Sequence, residues 1–164
     1  MTALNDMATL NEETLALIVR HAEQAYPKEC CGFVYADGEV RACVNIQDDL
    51  KSIDPARYRH GATAGYTLSV ADTLALNGSF ETANPASVIY HSHPDVGAYF
   101  SQEDSDEALF LGTPVYPVDY LVVDVRRAKA LEAKLFVWRK AGFFCARVFP
   151  IDQSYREAHA RRRR

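Results

Sequence analysis

The sequence has little cysteine and no long apolar run, and both absences narrow the class of protein. It contains four cysteines and no Cys-x-x-Cys pair, so no disulfide framework is indicated and we expect the cysteines to be small buried hydrophobic residues. No segment approaches the ~20 apolar residues that cross a bilayer. Residues 1–7 also lack the basic start and apolar run of a secretory signal. We therefore expect a cytoplasmic protein without a membrane partner.

Length and charge favour one domain. The 164 residues are 48% hydrophobic and carry a net charge of −4, which is sufficient for a single buried core. We divide the chain into an arm (1–10), a domain (11–150) and a basic, disordered tail (151–164) ending in Arg161–Arg164. Four arginines without interleaved aromatic residues are weak evidence for nucleic-acid binding. Nucleic acid is therefore not an expected partner, and the sequence does not indicate an oligomeric state.

The most informative stretch is His91-Ser92-His93-Pro94, followed by Ser101 and Asp104. The apolar residues 86–90 predict a buried strand, and side chains alternate along a strand, so His91 and His93 point to one side. Ser101 predicts a helix N-cap with Asp104 three positions further on. Two imidazoles and one carboxylate are ligand types of catalytic zinc, which keeps a position open for water. His91, His93 and Asp104 are therefore candidate metal ligands.

Each of these elements also has a simpler interpretation. A histidine pair near a strand end is more often a surface or hydrogen-bonded core feature than a ligand pair. A serine followed three residues later by an acid is an ordinary capping signal. Glu29, at the entrance of another predicted strand, is by default a solvated surface residue. Only the combination of ligand types, spacings and Pro94 favours a metal site.

This combination matches the JAMM, or MPN-plus, motif of zinc metalloproteases, and the chain resembles the bacterial, minimal form of that family over residues 11–149. The resemblance implies one zinc ion with a bound water, held by His91, His93 and Asp104. It implies that Glu29 is the general base and that Ser101 stabilises the oxyanion. It also implies a sheet flanked by helices, related to the fold of the cytidine deaminases. A deaminase itself would need a Pro-Cys-x-x-Cys element, which the chain lacks.

The resemblance further implies hydrolysis after the C-terminal tail of a ubiquitin-like protein, at a peptide or an isopeptide bond. Only residues 112–117 separate the metal helix from the next predicted strand, so there is no room for the insertion of eukaryotic deubiquitinases. This indicates a minimal bacterial enzyme of a ubiquitin-like conjugation, defence or sulfur-carrier pathway. Two alternatives stay open, a non-catalytic zinc-binding scaffold and a peptidase of phage tail assembly.

The remaining patterns predict a mixed α/β (α+β) fold, in which one mixed β-sheet is flanked by helices. Helices are expected after Asn11 as far as Pro27, over 70–75 and over 101–111. Residues 47–64 are polar and predict a long loop, which would be a surface connection or a flap over the substrate. Strands are expected over 31–34, 39–46, 66–68, 86–90, 118–125, 131–139 and 143–149.

Overall fold

A six-stranded mixed sheet with helices on both faces organises the computed structural model, which describes residues 9–162. The helices are α1 (Glu12–Ala25), α2 (Gln47–Ile53), α3 (Val70–Ser79), α4 (Gln102–Ala108) and α5 (Gln153–Arg162). The strands are β1 (Cys31–Tyr35), β2 (Val40–Cys43), β3 (Ala86–Pro94), β4 (Leu109–Phe110), β5 (Thr113–Pro114), β6 (Asp119–Arg126), β7 (Lys129–Arg139) and β8 (Gly142–Pro150). The predicted mixed α/β fold is confirmed. Within the described range, no helix has the length and apolar character needed to cross a membrane.

The strand order is β2-β1-β3-β6-β7-β8. Only β3 and β6 run parallel, and the other neighbouring pairs are antiparallel. A parallel pair needs a crossover connection, and here the crossover contains α4 and the small β4–β5 hairpin. The chain therefore leaves the end of β3, forms α4, and returns to start β6 beside β3.

The first face of the sheet is covered by α1. Asn11 caps this helix as predicted, because its side-chain oxygen accepts a hydrogen bond from the Thr14 amide at 2.9 Å. The apolar side of the helix packs on alternate residues of the central strands. This core cluster includes Leu15, Ile18, Val19 and Ala22 with Val34, Val88, Tyr90, Leu121 and Val123.

The second face has its own core and carries the polar side chains discussed below. Its buried residues include Phe33, Ile89 and Val122 of the sheet and Leu76 of α3. Because side chains alternate along β3, residues 89, 91 and 93 face this side while residues 88 and 90 face α1. His91 and His93 therefore lie on the second face, at the end of the strand.

Gly32 lies where β1 passes directly beneath the Tyr90 ring. A Cβ at this position would overlap the Tyr90 ring and hydroxyl and the Arg41 carbonyl. Tyr90 cannot move freely, because it is fully buried and its hydroxyl shares a 2.7 Å hydrogen bond with His21 Nδ1. We expect Gly32→Ala to lower the free energy of unfolding by about 3 kcal/mol, measured by urea denaturation.

Gly78 supplies the matched control for that substitution. It lies in α3, and nothing is within 4 Å of a Cβ built there. Gly78→Ala is therefore expected to change the stability by at most about 1 kcal/mol and to raise it. Equal effects of the two substitutions would contradict the close approach at Gly32.

The predicted loop over 47–64 is wrong in its first part, because residues 47–53 form α2. The helix is short and polar, so it lacks the apolar periodicity that signals a helix in a sequence. Tertiary hydrogen bonds hold it instead. The buried Gln47 side chain donates to the His60 carbonyl at 3.0 Å and accepts from the Thr67 hydroxyl at 2.7 Å.

The C-terminal segment also differs from the expected disorder, because residues 153–162 form α5. Arg156 reaches the Glu23 carboxylate at 2.6 Å and the Ala130 carbonyl at 2.9 Å, and Tyr155 packs on the first core. These contacts tie α5 to α1 and β7. Residues 1–8 and 163–164 lie outside the described residues, and the division into arm, domain and tail stays a prediction.

Three smaller expectations are also wrong. Residues 66–68 form no strand but a single bridge from Leu68 to Asn45. The helix expected over 101–111 ends at Ala108, because the next two residues pair with β5 across a turn. Cys30, Cys31 and Cys43 are buried as expected, but Cys145 is exposed because β8 is an edge strand with several uncovered residues.

Candidate metal centre

The end of β3 brings two imidazoles together on the second face of the sheet. His91 Nε2 and His93 Nε2 lie 3.0 Å apart, and both residues are buried. The alternation of side chains along the strand produces this arrangement, since one residue, the buried Ser92, separates the two histidines and points to the other face of the sheet. Its hydroxyl accepts a hydrogen bond from the Cys30 amide at 2.8 Å and ties this part of β3 to the entrance of β1.

The first turn of α4 supplies the third polar group. Ser101 is the N-cap, as predicted, and forms a capping box with Asp104. The Ser101 hydroxyl accepts from the Asp104 amide at 3.0 Å, and the Asp104 carboxylate accepts from the Ser101 amide at 2.9 Å. The same carboxylate lies 3.2 Å from His91 Nε2 and 3.4 Å from His93 Nε2. The cap therefore aims this carboxylate at the two imidazoles.

The three side chains fit a divalent metal ion in type and in spacing. With bonds of about 2.1 Å and tetrahedral angles, neighbouring zinc ligands lie about 3.4 Å apart, and the separations here are 3.0, 3.2 and 3.4 Å. His93 Nδ1 lies 3.0 Å from the Gly97 carbonyl, which can only accept, so Nδ1 carries the proton and Nε2 offers a lone pair. Lone pairs that converge in this way require a cation or a proton between them.

Aromatic rings enclose both histidines. The Tyr66 ring stacks on His91 with a centroid distance of 4.6 Å, and the Tyr99 ring meets His93 edge-on at 4.9 Å. His91 Nδ1 is buried and has no hydrogen-bond partner in the described part of the chain. The orientation of His91 is therefore set by packing, whereas that of His93 is set by its hydrogen bond to Gly97.

The ionisation of the cluster follows from burial and from its charges. Burial lowers the pKa of His91, and the neighbouring Asp104 only partly offsets this effect. Burial also opposes protonation of His93, but hydrogen bonding to Asp104 and the charge of Glu29 raise its pKa above the ordinary value. Burial would raise the pKa of Asp104, yet its hydrogen bonds to both histidines hold it well below the usual range. Asp104 is thus an anion at neutral pH.

Glu29 is brought to the cluster by the register of β1 and β3. Cys31 pairs with His91, and the Ser92 amide donates to the Cys30 carbonyl at 3.2 Å. Since the two strands are antiparallel, Glu29 comes beside His93. Both backbone polar groups of Glu29 are hydrogen-bonded. Its amide donates to the Ala62 carbonyl at 2.7 Å, and its carbonyl accepts from the Asn45 side-chain amide at 3.0 Å.

Glu29 is only 7% exposed, so it is not the solvated surface residue that its position at a strand entrance would suggest. Burial raises the pKa of its carboxyl to about 8, with His93 lowering it and the charges of Asp104, Glu103 and Glu107 raising it. Its carboxyl makes no hydrogen bond or ion pair within residues 9–162. A carboxyl of this kind can accept a proton near neutral pH.

A cleft of about 180 Å³ opens over these groups. It is lined by Glu29, His93, Ser101 and Asp104, by Glu103 and Glu107 of α4, by Tyr99, and by residues 63–66 with Gln47. The Ser101 hydroxyl hydrogen has no acceptor in the part of the chain that the structure describes, so it can point into the cleft. Thus the cleft contains proton-accepting, proton-donating and metal-ligating groups together.

The structure brings all five predicted site residues to this cleft or to the cluster beneath it. Sequence reasoning missed the aromatic neighbours Tyr66 and Tyr99 and the carbonyl of Gly97. Nothing in the local sequence marks Tyr66, because its position depends on the fold of the preceding segment. Within the segment 47–64, Tyr58 and Arg59 do not line the cleft, whereas Gln47 and Thr63 on either side of them do.

Comparison with known proteins gave a family match and two structural relatives. The family described as prokaryotic homologs of the JAB domain matches residues 11–135. A protein of Desulfitobacterium hafniense, solved in solution, has a TM-score of 0.56 at 21% identity, over 81% of this chain and 85% of its own. A protein of Salinibacter ruber, also solved in solution, has a TM-score of 0.50 at 24% identity, over 87% of this chain and 91% of its own. No curated protein matched.

Proposed function

Because the chain belongs to the prokaryotic homologs of the JAB domain, we propose that it is a zinc-dependent peptidase. Its proposed substrate is a ubiquitin-like protein or its conjugate, cut at the peptide or isopeptide bond after the C-terminal tail. The observation that carries this proposal is the convergence of His91, His93 and Asp104 at the base of a cleft that is also lined by the buried Glu29. A bacterial conjugation, defence or sulfur-carrier pathway would use such an activity.

His91, His93 and Asp104 would hold the metal ion. When bound, zinc supplies an acidified water and polarises the carbonyl of the bond to be cut. The Gly97 carbonyl keeps the His93 proton on Nδ1, so Nε2 stays available as a ligand. The capping box keeps the Asp104 carboxylate in place. These contacts explain how the chain could present three ligands in a fixed arrangement.

Proton transfer falls to Glu29 in this proposal. Its carboxyl is buried beside His93 and has a pKa of about 8, so it can take a proton from water and return it to the leaving amine. Ser101 can donate its free hydroxyl hydrogen to the developing oxyanion while its oxygen still accepts from the Asp104 amide. Capping and oxyanion stabilisation are thus compatible roles of one side chain.

The proposal is tested with the purified full chain and a panel of ubiquitin-like proteins fused through their C-terminal tails to a reporter. We expect about one zinc per chain by mass spectrometry, cleavage after the tail of at least one fusion, and loss of cleavage after chelation with recovery on adding zinc. Zinc without cleavage of any fusion would favour the scaffold alternative. A chain that does not bind zinc would refute the proposal.

A further inference from the structure

The side chain of Asn45 joins the two segments that carry Glu29 and Tyr66. Its amide nitrogen donates one hydrogen bond to the Glu29 carbonyl at 3.0 Å and one to the Gly65 carbonyl at 3.1 Å. Its side-chain oxygen accepts a hydrogen bond from the Thr67 amide at 3.2 Å. Asn45 therefore binds the residues on both sides of Tyr66 and anchors them to the entrance of β1, the strand that pairs with β3.

All four hydrogen-bonding positions of the Asn45 amide are used. A primary amide has two N–H donors and an oxygen that accepts two hydrogen bonds, and the fourth partner is the Gln47 amide at 3.0 Å. The partners fix the orientation of the side chain, since carbonyls only accept and N–H groups only donate. A side chain of the same shape without N–H groups, such as aspartate, would turn an oxygen towards the carbonyls of Glu29 and Gly65. The local structure therefore requires an amide at position 45.

The position of Tyr66 matters because its ring orients a candidate metal ligand. The ring stacks on the His91 imidazole with a centroid distance of 4.6 Å and an interplanar angle of 27°. His91 Nδ1 is buried and has no hydrogen-bond partner within residues 9–162. A metal-binding histidine is usually oriented by a hydrogen bond at its second nitrogen, and here the stacked ring takes that role. A shift of Tyr66 would therefore change the direction in which His91 Nε2 points.

Loss of the Asn45 side chain would displace Tyr66 without unfolding the neighbouring segments. The Ile46 amide donates to the Thr67 carbonyl at 2.9 Å, and this backbone hydrogen bond does not involve the Asn45 side chain. The chain that follows Tyr66 therefore stays attached. The Gly65 carbonyl, which precedes the ring, would lose its contact with Asn45. The expected consequence is a local loss of position of the ring rather than a loss of the fold.

Building on the proposed zinc peptidase, we propose that Asn45 is a positioning residue for zinc binding, which acts through Tyr66 on His91. Asn45 does not line the cleft, so its effect on the metal ion would be transmitted by the stacked ring. The hydrogen bond to the Glu29 carbonyl gives this support a fixed point on the sheet. Zinc affinity should therefore depend on a residue that contacts neither the metal ion nor the substrate.

The test measures the zinc affinity of the full chain by competition with a chromophoric chelator, in the wild type, Asn45→Ala, Tyr66→Leu and the double variant. We expect each single substitution to weaken zinc binding about tenfold, as is typical for loss of a residue that orients a metal ligand. Because both substitutions act through one ring, the double variant should also be about tenfold weaker, whereas independent effects would multiply to about a hundredfold. Tyr66→Phe keeps the stacked ring and should restore the affinity that Tyr66→Leu loses.

Asn84→Ala is the matched control for Asn45→Ala. The Asn84 side chain also binds a distant backbone amide, that of Asp37 at 3.0 Å, and it does not line the cleft. Its removal should leave the zinc affinity unchanged. Urea denaturation of the metal-free variants measures any loss of stability, so that unfolding is not mistaken for a weaker metal site.

The inference is overturned if Asn45→Ala binds zinc within about twofold of the wild type, if the effects of the two substitutions multiply, or if Asn84→Ala loses as much affinity. A wild type that binds no zinc would overturn both the inference and the proposed function. Zinc affinity is measured without a substrate, so failure to cleave any ubiquitin-like fusion would count against the peptidase proposal alone.

Discussion

Replacing Glu29 with Gln is expected to reduce cleavage by about 10²–10⁴-fold while the chain keeps its zinc. The substitution preserves the shape of the side chain but removes its ability to take up a proton. Zinc binding should be unchanged, because the three candidate ligands are His91, His93 and Asp104. The measurement is a comparison of cleavage rate and zinc content for the wild type and the variant on the same ubiquitin-like fusion.

The pH profile of cleavage distinguishes loss of the general base Glu29 from a general loss of structure. The wild type requires an ionised Glu29, so its activity should be present above the pKa of this group and be lost as the pH falls through it. Burial raises that pKa to about 8 without a metal ion, and a bound cation lowers it, so the acid limb should lie below pH 8. Glu29→Gln should lack this limb. Glu39→Gln, at an exposed position outside the cleft, should behave as the wild type. A Glu29→Gln variant with more than about a tenth of wild-type activity would rule out the general-base role.

Replacing His91 with Ala is expected to remove both zinc and cleavage. His91 is fully buried, and its Nε2 lies close to the other two candidate ligands. Alanine cannot supply a ligand atom, and the remaining pair would not complete the set of three that a catalytic zinc needs. Zinc content should fall from about one per chain to near zero, measured by mass spectrometry after dialysis.

His60→Ala is the control for this experiment. His60 is exposed in the segment after α2, and it does not line the cleft. Its removal should leave zinc content and cleavage unchanged. If His91→Ala still bound one zinc with wild-type affinity, the metal would be held elsewhere and the assignment of the site would be wrong. Thermal unfolding in chelator should be compared for both variants, so that loss of fold is not mistaken for loss of a ligand.

Part of the site could be predicted because it depends on local geometry. The two histidines meet because residues separated by one position share a face of a strand, and Asp104 turns back because Ser101 starts a helix. The approach of Glu29 could not be predicted in this way. It depends on the pairing of Cys31 with His91, which joins segments 60 residues apart in the chain. The sequence alone does not show which strands become neighbours.

The helices and strands can likewise be divided into those that have a local sequence signal and those that depend on distant contacts. The helix that starts at Asn11 and the long strands have clear periodicity, and the structure contains them near the expected positions. The two helices that were missed, α2 and α5, are polar and depend on distant partners. Gln47 binds groups beyond its helix, and Arg156 binds Glu23 of α1. Tertiary contacts of this kind override local propensity and leave no local signal.

The capping box between Ser101 and Asp104 also bears on the energetics of binding. A carboxylate on a freely rotating side chain loses rotamer freedom when it binds a cation, and this loss subtracts from the affinity. Here the backbone amide of Ser101 already restricts the Asp104 rotamer. Most of that conformational entropy is therefore lost when α4 folds, so the three side chains are already preorganised for a cation.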